Sequence, residues 1–112
     1  MALSDDDVDA LADYFSERPF RAARQPFDMA LAERGEIIHK QNCERCHSDG
    51  GAEPVNDAAI LAGQWTPYLR RQLKNILSGQ RVVTRSMLRR VKKLSEGDIE
   101  ALLSFYAAQG LK

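Results

Sequence analysis

The chain has 112 residues, 16 Lys and Arg against 16 Asp and Glu, and 44% hydrophobic with only 7% aromatic residues. That length leaves room for one small core, the neutral balance argues against a uniformly basic polyanion binder, and the apolar share excludes a disordered or collagen-like chain. No window approaches the roughly 18 consecutive apolar residues of a membrane span, so no membrane insertion is expected, and the acidic start Ser4-Asp5-Asp6-Asp7 is the opposite of a signal peptide. Any export signal is therefore expected to have been removed, and a chain this short is expected to need a staple beyond its apolar core.

Helical spacing of apolar residues recurs and strict alternation does not, which predicts an all-α fold. The first segment, Leu3-Ser4-Asp5-Asp6-Asp7-Val8, aligns without gaps to Leu94-Ser95-Glu96-Gly97-Asp98-Ile99, and the match runs on through Phe15 and Tyr106. In both, a serine can cap a helix, an aspartate sits at the capping-box position, and the leucine can staple onto the β-branched residue. Two readings follow: convergence on a good helix start, or a duplication in which the first helix copies the closing helix of a domain of the same kind. On the second, residues 1–27 are a helix and linker left from a preceding domain, with Arg18 to Phe27 as the linker, and residues 28–112 are the domain itself. A helix is expected from about Asp28 to Gln41, ending at the cysteine pair. His47 to Gly63, with Gly50-Gly51, Pro54 and Asn56-Asp57, reads as loop. The next helix opens at Thr66-Pro67, with Thr66 as cap and Pro67 at the first helical position, and carries Tyr68, Leu69, Gln72, Leu73 and Ile76 on one face before Gly79. Met87 falls in the following loop. The last helix starts at Ser95, aligns Ile99, Leu102, Leu103 and Tyr106 with Phe105 flanking, and meets a stop signal at Gly110.

Charge is unevenly spread. Asp5, Asp6, Asp7, Asp9, Asp13 and Glu17 make the first helix acidic, whereas Ala58 to Ser95 contains no carboxylate and carries nine basic residues from Arg70 to Lys93. Singly these read as a solvated face; together they suggest docking to an acidic surface. Few interleaved aromatics and no binding motif argue against nucleic acid.

Cys43-Glu44-Arg45-Cys46-His47 carries the chemistry. The pattern C-x-x-C-H is the attachment signature for c-type haem: both thiols form thioethers to the porphyrin vinyl groups, and the next residue's imidazole lies beneath the iron. A redox disulfide would expect a βαβ context that a helical chain lacks. A zinc site from Cys43, Cys46, His47 and His39 would cluster its ligands too tightly for the usual separated pairs. Two free buried thiols would leave His47 unexplained. A second axial ligand is expected at Met87, whose placement lets the chain return across the opposite face; Met1 is terminal, Met29 precedes the anchor helix, and His39 is the rival.

With these residues the sequence resembles the class I c-type cytochromes from Ala30 to Gln109. The resemblance rests on Gly35-Glu36-Ile37-Ile38-His39, the cysteine motif, Leu61-Ala62-Gly63-Gln64, Tyr68, Gln72-Leu73, Gly79, Arg81, Met87 and Leu94-Ser95. Cys43 to Gly51 and Ile60 to Leu69 are most similar to the second haem domain of two-domain cytochromes, especially the cytochrome subunit of flavocytochrome c sulfide dehydrogenase. The resemblance implies three to five helices packed around one covalent haem c, with an extra N-terminal helix. It implies Cys43 and Cys46 as anchors, His47 and Met87 as iron ligands, and Gly35 as the small residue at a close helix crossing. Trp65 and Tyr68 match pocket positions near the propionates and Leu61 and Leu73 match apolar walls, with Ala59 and Gln64 also in the pocket. The family often has a proline at Ala59, whose carbonyl receives the His47 ring N–H, and an aromatic residue where His39 stands. One-electron transfer is the implied function. The implied setting is the bacterial periplasm, with a flavoprotein subunit or another redox protein as partner. A freely diffusing carrier is the alternative, and a ligand-binding sensor or peroxidase-like protein with an open sixth site is a third reading.

Overall fold

A computed structural model describes residues 2–54 and 58–109, so the Asn56-Asp57 turn and the Gly110 stop fall outside the described residues. Among the described residues six helices follow in order: α1 Asp5–Ser16, α2 Met29–Asn42, α3 Ser48–Gly51, α4 Thr66–Ser78, α5 Arg85–Lys92 and α6 Glu96–Gln109. No strand occurs among the described residues. Both anticipated capping boxes are present. At α1 the Asp7 N–H donates to Ser4 Oγ at 3.1 Å and the Ser4 N–H to Asp7 Oδ2 at 3.1 Å. At α6 the Ser95 and Asp98 pair repeats the exchange at 3.0 Å each way.

The core forms where α2 crosses α6. Ala32, Gly35 and His39 are the buried residues of α2, and Ala101, Leu102, Leu103, Phe105, Tyr106 and Ala107 those of α6. Gly35 allows the close approach: a Cβ there would overlap the Ala101 carbonyl and stand 2.8 Å from Phe105 Cβ. The crossing occurs at the expected glycine, although its nearest partners are Ala101 and Phe105. From α4, Leu69 and Ile76 close the core, and Val91 does so from α5. Two ion pairs bind α6 to its neighbours: Arg70 to Glu100, through contacts of 2.7 and 3.0 Å, and Arg34 to Asp98 at 3.1 Å.

The repeat matches in sequence but not in packing. α1 buries none of its residues, and Val8, Leu11, Tyr14 and Phe15, which align to buried or half-buried positions of α6, are 45–65% exposed.

Three expectations are corrected. The stretch from His47 is not loop throughout: Ser48–Gly51 forms the short α3, with left-handed backbone at Asp49 and Gly50 inside it. Thr66 does not cap α4; it is the first helical residue, Trp65 is the N-cap without a side-chain cap bond, and the Thr66 hydroxyl instead donates to Gln25 Oε1 at 3.2 Å. Met87 lies not in a loop but in the first turn of α5, because Thr84 Oγ1 accepts its N–H at 3.2 Å and starts a helix there.

Candidate functional site

The motif residues sit at the end of α2. Cys43 is its C-cap and half-buried, Cys46 is exposed, and His47 is the half-buried residue preceding α3. The thiols are not bridged to each other. No group of three or more His, Cys, Asp or Glu side chains is gathered as a metal site among the described residues, so the zinc reading finds no cage. Burial pushes the Cys43 thiol above its ordinary range, which keeps it protonated.

His47 Nδ1 donates to the Ala59 carbonyl oxygen at 3.1 Å. A carbonyl can only accept, so the ring proton is on Nδ1 and the Nε2 lone pair is free for a metal. The bond survives the replacement of the family's proline by alanine because it uses only the backbone. Two thiols and an imidazole with its outer nitrogen fixed in this way fit a covalently held haem.

Of the expected pocket residues, two pack on the same core cluster as the motif. Leu61 and Leu73 are half-buried against the cluster of Leu69, Leu102, Leu103, Phe105 and Tyr106, as is Cys43. Gln64 is half-buried, whereas Trp65 and Tyr68, at the start of α4, are 56% and 49% exposed. Met87 is half-buried on α5. The Arg90 guanidinium ties α5 to the end of α2 through the Asn42 carbonyl at 3.2 Å.

Behind the motif lies a polar chain not foreseen as a unit. His39 is fully buried, its Nδ1 2.7 Å from the Tyr106 hydroxyl and its Nε2 3.3 Å from Glu44 Oε1, a contact without hydrogen-bond alignment. Burial lowers the His39 pKa, and the neighbouring Glu44 only partly opposes this. A neutral ring with its proton on Nε2, facing the carboxylate, leaves Nδ1 to accept from Tyr106. Glu44 Oε1 also accepts the Gly50 N–H at 3.0 Å, the main cause of its lowered pKa, so the residue after Cys43 fastens the turn that follows His47. Tyr106 is the other signal: a tyrosine on an otherwise apolar stripe needs a buried partner for its hydroxyl.

Comparison with known proteins decides the family. The family model described as cytochrome c oxidase, cbb3-type, subunit III matches residues 30–105. The chain is a class I c-type cytochrome. It is 35% identical to cytochrome c4 of Stutzerimonas stutzeri over 97% of this chain and 56% of that protein. It is 33% identical to cytochrome c4 of Pseudomonas aeruginosa over 60% of this chain and 33% of that one. The crystal structure of reduced recombinant cytochrome c4 from Pseudomonas stutzeri superposes with a TM-score of 0.74 at 32% identity, covering 94% of this cytochrome and 60% of that chain. This cytochrome therefore spans little more than half the length of the first of these relatives and a third of the second. Its cofactor is covalently bound haem c, as the motif and these likenesses agree. These relatives are cytochromes c4 and do not show the narrower likeness to the sulfide dehydrogenase subunit. No helix among the described residues is long and apolar enough to cross a membrane.

Proposed function

We propose that this cytochrome passes single electrons between redox proteins through a haem ligated by His47 and Met87, with Cys43 and Cys46 as thioether anchors. The observation that carries the reading is the His47 Nδ1–H bond to the Ala59 carbonyl, which fixes the ring next to Cys46 in the chain and leaves Nε2 as the nitrogen open to a metal. When bound, the haem supplies a one-electron iron couple. The chain's own residues do the rest. Leu61 and Leu73 would keep water from the haem, Gln64, Trp65 and Tyr68 would lie toward its propionates, and Met87 would join His47 as a ligand to the iron, so that a small ligand would have to displace it. That last role separates the carrier from a sensor or a peroxidase-like protein. In the holoprotein, Met87→Ala is expected to change the reduced absorption spectrum and lower the midpoint potential; an unchanged spectrum and potential would refute the ligation.

Docking is assigned to the basic stretch, narrowed by the side chains already engaged. Arg70 pairs with Glu100, Arg81 donates to Gln72 and Arg90 to Asn42. Arg71, Lys74, Arg85, Arg89, Lys92 and Lys93 are exposed and form no ion pair among the described residues. Arg85, Leu88, Arg89 and Lys92 share one face of α5 around a shallow depression. Such a surface suits an acidic redox partner met transiently, with association that weakens as salt rises. A sulfide-oxidising flavoprotein subunit is the partner suggested by the narrower likeness, and a free carrier in the periplasm by the salt-sensitive surface. Co-purification of a flavoprotein at low salt decides for the subunit, and its absence for the free carrier. The exposed apolar face of α1 supports reading residues 1–27 as the closing helix of a preceding module joined to the 28–112 domain.

A further inference from the structure

Segment Arg18 to Phe27 is held against the site rather than hanging between two units. The Ala23 N–H donates to the Gly63 carbonyl at 2.8 Å, and the Gly63 N–H donates to the Tyr106 carbonyl at 2.8 Å, so the turn after Leu61 is tied to the segment on one side and to α6 on the other. Gly63 has φ of 77°, and a Cβ there would lie 2.5 Å from Ala22 Cβ, so the strap can lie this close only on a glycine.

Gln25 supplies the decisive contacts. Its side chain is buried, at 9% exposure. Nε2 donates to the Gln64 carbonyl at 2.7 Å, and Oε1 accepts both the Thr66 N–H at 2.9 Å and the Thr66 hydroxyl at 3.2 Å. The Thr66 N–H is one of the donors that a helix start leaves without an internal partner, and Trp65 provides no side-chain cap. A glutamine 41 residues earlier in the chain does so instead. One carboxamide thus satisfies the backbone on both sides of Trp65.

We propose that Gln25 is a positioning residue for the haem edge: by clamping Gln64 and Thr66 it fixes Trp65 and the first turn of α4 with Tyr68, and it makes the strap a wall of the site. This rests on the reading of Trp65 and Tyr68 as pocket residues. Buried hydrogen bonds of this kind hold geometry because leaving any member unpaired is costly. The strap also joins α1 to the site, so whatever engages α1 acts directly on this turn.

The test is made on the holoprotein with Gln25→Met, which keeps the side-chain length and removes all three bonds. Trp65 is the only tryptophan, so its fluorescence lifetime, shortened by energy transfer to haem, reports its placement. The expected result is a longer Trp65 lifetime and a shifted midpoint potential at unchanged helical circular dichroism. A lifetime and potential identical to those of the unsubstituted protein would overturn the proposal. Should Gln25→Met give no folded holoprotein, Gln25→Glu serves with the same readouts, since it retains the acceptor for Thr66 and loses the donor to Gln64; absence of any change again overturns it. Trp65→Phe separates the two claims. If that variant shifts the potential while Gln25→Met moves neither readout, the clamp is wrong and the pocket reading stands. If Trp65→Phe leaves the potential untouched while Gln25→Met lengthens the lifetime, the clamp holds and the pocket reading fails.

Discussion

His39, in the sequence the rival to Met87 as a ligand, is fully buried where α2 crosses α6. Its position on the helix crossing follows from the α2 register, and the family's usual aromatic residue there points to burial. The imidazole, however, packs against Phe105 and Tyr106 with ring centroids 5.3 and 5.4 Å away while also serving the Tyr106 hydroxyl. Substituting His39→Phe restores the aromatic packing but orphans that hydroxyl in the core. The expected cost in unfolding free energy is about 1–3 kcal/mol by denaturant titration, and Tyr106→Phe added to it should recover a large part. If the double variant is no more stable than the single one, the hydroxyl is not what the histidine serves. His47 stands at the other extreme: its proposed role as an iron ligand comes from the five-residue motif Cys43 to His47, and its orienting bond needs only a backbone carbonyl at Ala59.

At the scale of the element, what could be read from sequence was what is local. Both capping boxes are contained within four residues, and both are found. The start of α4 was misread because its donor is satisfied by Gln25, which no local pattern contains. The helix around Met87 was missed although Thr84 offered a cap signal, because no acidic residue follows it to complete a box. The α2 and α6 pair carries the strongest element-level prediction. Gly35→Ala drives a methyl group into the Ala101 carbonyl, a backbone atom that cannot rotate away. Overpacking of this kind costs about 1–3 kcal/mol, and the upper part of that range is expected here by thermal or denaturant unfolding. A variant as stable as the parent would mean that the crossing is looser than described.

For the whole molecule, zero net charge conceals a separation. The acidic α1 has none of its residues buried, and the exposed basic side chains of the Arg70 to Lys93 stretch that form no ion pair among the described residues lie on α4, α5 and the turn after α5. Neither charged region builds the core, which consists of α2, α6 and one face each of α4 and α5. The expected staple for so small a core is the covalent haem of the Cys43–Cys46 motif, with His47 and Met87 as its proposed iron ligands. Leu102, Leu103 and Tyr106 of the α6 core were legible from periodicity, whereas the buried Ala101 and Ala107 were not; nor was the role of the segment before α2, because its contacts with Gly63, Gln64 and Thr66 are all long-range. The most direct measurement is the intact mass of this chain after production in a host that matures c-type cytochromes. The account predicts the polypeptide plus one haem, retained through denaturation and lost as a single covalent adduct when Cys43 and Cys46 are both replaced by alanine; a mass equal to the bare polypeptide would contradict it.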